Sequence, residues 1–232
     1  MNPFLTLDPA KAWGPGSFQM AFALVEATGI RPGSRVLEVG GGSGQIATTI
    51  AKHWGAQVIT LEPWTDGREI QTLAEERGVG NAVLPLQLKA QSLPFPDNAF
   101  DAIISIGSFE MIGDERPQAL KELIRVARPG ARIGIAEPMC RPDMPADLVA
   151  LDQEHKLRFE ECFRTLEWNL ALFAEHGLQV VESYHYPEAY QWWLQYRDQM
   201  TGKISAGEQE LITRDQGRWI SLGLVVGQKA AE

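Results

Sequence analysis

The residues best suited to chemistry lie around a glycine-rich segment near the N-terminal third of the chain. Residues 36–45 read Val-Leu-Glu-Val-Gly-Gly-Gly-Ser-Gly-Gln, so an apolar run containing an acid, Glu38, leads into Gly40, Gly42 and Gly44. Glycines permit positive φ and let a ligand approach the backbone closely. A helical pattern follows from Gln45, and a helix N-terminus offers free amide donors to a ligand. The segment therefore predicts a nucleotide-like ligand above a strand-turn-helix unit.

A second acid stands at the distance from these glycines that nucleotide binding requires. The apolar run Val58-Ile59-Thr60-Leu61 ends in Glu62, about 20 residues after the glycines. In sheets that bind nucleotides, an acid at this place accepts hydrogen bonds from ribose hydroxyls. The glycine spacing itself departs from the dinucleotide pattern G-x-G-x-x-G, because Gln45 stands where the third glycine would be.

Four segments in order resemble the class I S-adenosylmethionine-dependent methyltransferases, and most of all their type 11 small-molecule members. The first is the Glu-x-Gly-x-Gly-x-Gly turn at 38–44, and the second is the acid Glu62. The third, 93–101, reads Leu-Pro-Phe-Pro-Asp-Asn-Ala-Phe-Asp and resembles the segment before the fourth strand of that family. The fourth, 123–138, resembles its Pro-Gly turn and fifth strand.

The resemblance implies S-adenosyl-L-methionine as cofactor, a small-molecule methyl acceptor and a set of cofactor-binding residues. Glu38, Gly40, Gly42 and Gly44 would lie at the methionine and ribose part, and Glu62 would hold the ribose hydroxyls. The other expected cofactor-binding residues are Pro63, Trp64, Ala90, Gln91, Ser105 and Ile106. No metal site is predicted.

One departure from the family affects the adenine contact. Many relatives carry an acid before the Leu-Pro-Phe segment that binds the adenine amino group, whereas this chain has Lys89 there. A lysine ammonium cannot accept a hydrogen bond. The adenine contact is therefore expected from the backbone of Ala90 and Gln91 or from the Gln91 amide.

Candidates for catalysis follow from what methyl transfer demands. Transfer from a sulfonium needs mainly positioning and exclusion of water, but an oxygen or nitrogen acceptor must also lose a proton to a base. Glu110, after the predicted fourth strand, and His185, between Tyr184 and Tyr186, are the candidate catalytic residues. Glu137 and His155 remain alternatives to them.

Alternating strands and helices must position these residues, and this alternation predicts a doubly wound, mostly parallel α/β sheet covered on both faces. The resemblance implies the seven-stranded, Rossmann-like methyltransferase form of this sheet, and the chain supplies seven strands. The family's seventh strand runs antiparallel between the fifth and sixth. Predicted strands cover 35–39, 57–61, 82–88, 101–106, 131–137, 178–186 and 219–227. Predicted helices cover 17–28, 45–54, 67–77, 116–126 and 165–176.

We expect one domain over residues 1–232, with two segments that interrupt the alternation, about 140–164 and 187–216. They carry prolines, or aromatics such as Trp192 and Trp193, and would form a lid over the carboxyl edge of the sheet, with the acceptor beneath. Packing of these aromatic residues in a core explains the pattern equally well.

Composition limits the alternatives. The net charge of −9 argues against a nucleic-acid substrate, which needs clustered Lys and Arg. Two cysteines make no disulfide framework, and neither a secretory signal nor an apolar run of about 20 residues is present, so we expect a cytoplasmic protein without membrane contact. Two rival functions stay open: a nicotinamide-dependent dehydrogenase, and a cofactor-binding regulatory protein without transferase activity. The oligomeric state cannot be derived from the sequence.

Overall fold

A seven-stranded sheet with the order β3-β2-β1-β4-β5-β7-β6 forms the centre of the computed structural model, which describes residues 2–231. The strands are β1 (Arg35–Val39), β2 (Gln57–Leu61), β3 (Val83–Leu86), β4 (Phe100–Ile106), β5 (Ala127–Cys140), β6 (Gln179–His185) and β7 (Ile220–Gln228). Pairing is parallel from β3 through β5, and β7 is antiparallel to both β5 and β6. The mixed sheet and its strand order confirm the predicted fold class.

Helices cover both faces of the sheet. They are α1 (Ser17–Thr28), α2 (Gln45–Trp54), α3 (Arg68–Glu76), α4 (Arg116–Val126), α5 (Ala146–His155), α6 (Phe159–Cys162), α7 (Leu166–Glu175), α8 (Ala189–Gln199) and α9 (Ala206–Asp215). Two apolar clusters result, one on each face: Met20 and Val36 lie fully buried in the first, and Leu37 and Ile103 in the second. The apolar, β-branched strands predicted this burial on both faces.

Several predicted boundaries are confirmed to the residue, namely those of α1, β1, α2, β2 and α4. Strand β5 is longer than predicted at both ends, because it begins at Ala127, which pairs with Phe100 of β4, and extends to Cys140, which pairs with Ile220 of β7. Helix α9 was not predicted as an element. Its start carries a signal that could have revealed it: the Ser205 hydroxyl accepts a 3.0 Å hydrogen bond from the Glu208 amide, as in a Ser-x-x-Glu capping box.

The topology places the carboxyl ends of β1, β2 and β4 beside one another. Because the order of the strands reverses between β1 and β4, a crevice opens above them, where doubly wound sheets bind ligands. No helix among residues 2–231 is long and apolar enough to cross a membrane.

Candidate functional site

The glycine turn after β1 is held in place by close backbone packing. The amides of Gly40 and Gly41 both donate to the Leu61 carbonyl at 2.9 Å, which ties the turn to the end of β2. Gly40 has a φ of 80°, and a Cβ added to it would lie 2.1 Å from the hydroxyl oxygen of Ser108. A side chain at residue 40 would therefore be strained in conformation and would displace the segment after β4.

Glu62 binds the same turn from beneath. Its side chain is almost fully buried, and one carboxylate oxygen accepts a 2.9 Å hydrogen bond from the Gly42 amide. The other oxygen accepts from the Trp64 amide at 3.2 Å. Each carboxylate oxygen can accept more than one hydrogen bond. Glu62 can thus fix the turn and still present acceptor capacity to a ligand in the crevice it lines.

Glu38 lies deeper than expected. It is buried, it lines neither part of the crevice described below, and the Thr60 hydroxyl donates to its carboxylate at 2.5 Å. Burial raises the pKa of Glu38 to about 7, with the neighbouring Glu62 charge adding to the shift. Its contacts support the strands beneath the turn.

The crevice has two adjoining parts that share Gly40, Trp64 and Ser108. The smaller part, about 60 Å³, lies between the glycine turn and the N-terminal segment 11–18. The larger part has a volume of about 400 Å³ and lies between Pro63-Trp64, residues 88–91 and the segment after β4. A cavity of several hundred Å³ suits a ligand of nucleotide size.

Residues of the N-terminal segment form one wall that the sequence did not reveal. The Ser43 hydroxyl donates to the Lys11 carbonyl at 2.8 Å, and a Cβ on Gly42 would lie 3.4 Å from the Trp13 ring. Trp13 therefore covers the glycine turn while half of its surface stays exposed, at 53 %. The signal for this segment was the sequence Trp13-Gly14-Pro15-Gly16, a break directly before α1.

Most of the residues expected to bind the cofactor line this crevice. In the smaller part these are Gly40, Gly42, Glu62, Trp64 and Ile106, and in the larger part Gly40, Pro63, Trp64, Ala90 and Gln91. Lys89 also lines the larger part, and the Gln91 amide nitrogen donates to the Glu115 carboxylate at 2.9 Å across its rim. The segment after β4 adds Ser108, Met111, Ile112 and Glu115, which the sequence did not single out as cofactor contacts.

Gly44 and Ser105 do not line the crevice but support residues that do. A Cβ on Gly44 would lie 2.6 Å from a methyl carbon of Ile70, so this glycine allows α2 and α3 to pack. Ser105 is fully buried; its hydroxyl donates to the Val39 carbonyl at 3.1 Å and lies 2.8 Å from the Ser108 hydroxyl. Ser105 thus holds Ser108 against the glycine turn.

Glu110 does not face the crevice in this structure. It is 4 % exposed, and its backbone amide donates to a carboxylate oxygen of Glu137 at 3.0 Å. Burial raises the pKa of Glu110 to about 7, while burial and repulsion from Glu110 raise the pKa of Glu137 well above its usual range. The two acids form a closed pair beside Arg116, and their contacts favour a supporting role over proton abstraction from an acceptor.

His185 ends the edge strand β6, three strand positions from β4 in the order of the sheet. Neighbouring strands lie about 4.8 Å apart, so His185 lies roughly 14 Å from the end of β4. It lies 3.0 Å from the Ser221 hydroxyl, and burial lowers its pKa. The structure does not bring His185 to the crevice, and its catalytic role stays a prediction.

The aromatic residues of the second interrupting segment pack inward. Trp193 of α8 is 2 % exposed, and its indole donates to the Ser221 carbonyl at 3.2 Å. Its ring lies 5.8 Å from that of Phe163 and 6.0 Å from that of Phe159, which belong to the first segment. The two segments therefore share an aromatic core; their role as a lid stays a prediction.

Residues 37–135 match the family model described as a methyltransferase domain (type 11). The chain is similar to an uncharacterized protein of Mycobacterium tuberculosis, with 39% identity over 142 residues, 54% of this chain and 50% of that protein. It is 35% identical over 120 residues to the ubiquinone/menaquinone biosynthesis C-methyltransferase UbiE of Serratia proteamaculans, 49% of this chain and 46% of that protein. The chain thus spans about half the length of these curated relatives.

A solved structure shares the fold across nearly the whole chain. Geranyl diphosphate methyltransferase in complex with S-adenosylmethionine superposes with a TM-score of 0.76 at 18% identity, covering 91% of this chain and 85% of that one.

Proposed function

We propose that this chain transfers the methyl group of S-adenosyl-L-methionine to a small-molecule acceptor, a function that the match of residues 37–135 to a methyltransferase-domain model supports. The observation that carries this proposal is the crevice itself. The glycine turn, Glu62 and residues 88–91 meet in one space at the carboxyl edge of the sheet, where the order of the strands reverses. In the methyltransferase solved with this cofactor, the same fold is present.

The cofactor would lie along the two parts of the crevice. We assign the adenine to the larger part, against Trp64 and the backbone at Ala90 and Gln91. The ribose hydroxyls would bind Glu62, and the methionine end would enter the smaller part, between the glycine turn and Trp13. The helix N-terminus beyond the turn adds amide donors for the carboxylate of the methionine end.

Methyl transfer is a displacement at the methyl carbon, in which the acceptor's electron pair forms the new bond while the sulfonium takes the electrons of the old one. The work of the chain's residues is to align donor and acceptor and to exclude water. The carboxylates that line the crevice, within residues 2–231, are Glu62 and Glu115, and no histidine lines it. We therefore assign catalysis chiefly to positioning.

The mouth of the crevice favours an acceptor with an apolar portion. Trp13, Trp64 and Met111 border this crevice with exposures of 53, 63 and 58 %, so the parts of these side chains that the cofactor leaves uncovered form an apolar rim for the acceptor. Exposed apolar patches mark binding surfaces more often than scattered single residues do.

A binding and transfer experiment tests the proposal. Calorimetry should show that the protein binds S-adenosylmethionine and not NADH, which separates it from a nicotinamide-dependent dehydrogenase. Incubation with methyl-labelled cofactor and fractionated metabolites should then place the label in a small molecule. Binding of the cofactor without transfer to any fraction would favour a regulatory protein, and absence of binding would contradict the proposal altogether.

A further inference from the structure

The segment after β4, residues 107–115, has two faces with different surroundings. Ser108, Met111, Ile112 and Glu115 line the larger part of the crevice. Between them, Phe109 and Glu110 turn away from the crevice and are buried. Whatever holds the buried face of this segment therefore also sets the shape of the crevice wall.

The buried face is held at two points. At the first, the Glu110 amide donates to Glu137 of β5 at 3.0 Å. At the second, the Arg116 Nε donates to the Gly113 carbonyl at 2.9 Å, where the backbone takes a φ of 67° and leaves the helical region. Another nitrogen of Arg116 donates to the Cys162 carbonyl at 3.3 Å, which connects the segment to α6.

The buried acids near this segment outnumber the buried cations. Glu110, Glu137 and Arg116 are 4, 0 and 1 % exposed. The Arg116 guanidinium attracts both carboxyl groups but forms its hydrogen bonds to the Gly113 and Cys162 carbonyls. Within residues 2–231, one oxygen of each acid and one nitrogen of the arginine lack a hydrogen-bond partner. A second buried negative charge without a partner is costly, so the pair must keep a proton to remain neutral with Arg116.

We propose that Glu137 and Glu110 are positioning residues for the methyl-donor site: their shared proton keeps the segment 107–115 against the crevice, and loss of that proton releases it. The inference rests on the proposed function, since the crevice wall matters to the reaction only if the cofactor binds there. The raised pKa values of both acids agree with a retained proton.

The charged and titratable groups around the pair come from several elements. Arg116 of α4 acts on both acids, and Arg164 and the Cys162 thiol act on Arg116 in turn. Arg164 also pairs with the exposed Asp114 at 3.6 Å. Arg116 is the cation that attracts both acids, and each acid repels the other, so removal of the proton sets two negative charges against one positive charge.

Two substitutions of Glu137 by residues of nearly equal size test whether its protonated carboxyl group acts through hydrogen bonds or through packing alone. In Glu137→Gln, the side-chain oxygen can still accept from the Glu110 amide, and the amide nitrogen donates to the Glu110 carboxylate as the proton would. In Glu137→Leu, neither bond forms. We expect Glu137→Gln to bind S-adenosylhomocysteine within twofold of the unsubstituted protein at pH 6.5, and Glu137→Leu to bind it about tenfold more weakly.

The dependence of the dissociation constant on pH is the second measurement. It would not change in Glu137→Gln if Glu137 had only a structural role. Between pH 6.5 and 9 the dissociation constant of the unsubstituted protein should rise about tenfold, as one proton is lost, whereas that of Glu137→Gln should change less than twofold. Glu38→Gln is the control, because Glu38 also titrates near the crevice, with a pKa of about 7. A pH dependence that persists in Glu137→Gln, or that disappears only in Glu38→Gln, would overturn the inference.

Hydrogen exchange keeps the inference testable should Glu137→Leu not fold or the cofactor not bind. In the unsubstituted protein without any cofactor, protection of residues 108–113, corrected for the intrinsic rate, should fall between pH 6.5 and 9, while that of β4 stays constant. Equal protection of 108–113 at both pH values would refute the positioning role. A cofactor that fails to bind, together with the expected exchange, would instead refute the proposed function alone.

Discussion

Replacing Glu62 by alanine should weaken cofactor binding more than any other single loss of charge in the crevice. Glu62 is 1 % exposed and accepts hydrogen bonds from the amides of Gly42 and Trp64. We expect it to accept the ribose hydroxyls with its remaining capacity. A hydrogen bond to a charged group contributes about 1.5–3 kcal/mol, so loss of the ribose contact corresponds to a roughly tenfold to 150-fold rise in the dissociation constant.

The assay is calorimetric titration with S-adenosylmethionine. Two further variants separate the loss of the Glu62 charge from the loss of its acceptor oxygens and from the loss of any nearby acid. Glu62→Gln keeps one acceptor oxygen without the charge, and should lie between the unsubstituted protein and Glu62→Ala. Glu69→Ala removes an exposed acid from the first turn of α3, seven residues further along, and should leave the affinity unchanged.

The turn contact must be separated from the ribose contact. Loss of the bonds to Gly42 and Trp64 should also lower the thermal unfolding temperature of Glu62→Ala, and that change can be measured without any cofactor. If the unfolding temperature falls but the affinity is the same as that of the unsubstituted protein, Glu62 supports the turn only, and the ribose assignment is refuted.

Three further predictions concern the turn, the buried acid beneath it and the segment 8–14 that borders the crevice. Gly40→Ala should destabilise the protein by about 1–3 kcal/mol more than Gly78→Ala in urea unfolding: both glycines have positive φ, but only the Cβ at residue 40 meets another side chain. Because burial raises the pKa of Glu38 to about 7, its contribution to stability is complete below pH 4.5 and is lost as the pH rises through 7. The unsubstituted protein should thus lose up to about 3 kcal/mol between pH 5 and 8 that Glu38→Gln retains, as measured by urea unfolding at both pH values. In hydrogen exchange without cofactor, residues 8–14 should exchange faster than α8, and slow on binding; fast exchange in α8 would favour that helix as the lid instead.

The sequence determined the elements of the first half of the chain almost completely. Apolar β-branched runs gave the limits of β1, which ends before Gly40, and of β2, which ends before Glu62, and a continuous helical pattern gave those of α1 and α4. These signals are local, since strand and helix periodicity depend on which residues alternate along a few turns of chain. The glycine spacing likewise placed the turn, because positive φ at Gly40 is a property of its own backbone.

The lid prediction and the catalytic candidates depend on contacts between distant segments, which local sequence patterns do not predict. Aromatic residues at 190–196 could belong to a mobile lid or to a core, and the packing of Trp193 against Phe159 and Phe163 depends on a segment about thirty residues earlier. Similarly, Glu110 follows β4 in the sequence as an acceptor-facing residue would. Only the tertiary structure, in which its side chain is buried and its amide bonds to Glu137 of β5, shows that it turns away from the crevice.

Only the tertiary structure decided which way side chains point in segments without a regular period. It also decided which segments that are distant in the sequence come into contact. The segment 107–115 contains a short 3-10 helix, Glu110–Glu115, which is kinked at Gly113. No regular period therefore fixes which of its residues face the crevice, and the partners that bury Glu110 and Arg116 decide it. Trp13 reaches Gly42 only because α1 packs against β4 and β5, which brings the start of α1 to the edge of the sheet where β1 ends. A sequence specifies such contacts only through the whole fold, because each depends on the energy of packing between elements and not on the conformational preference of either one.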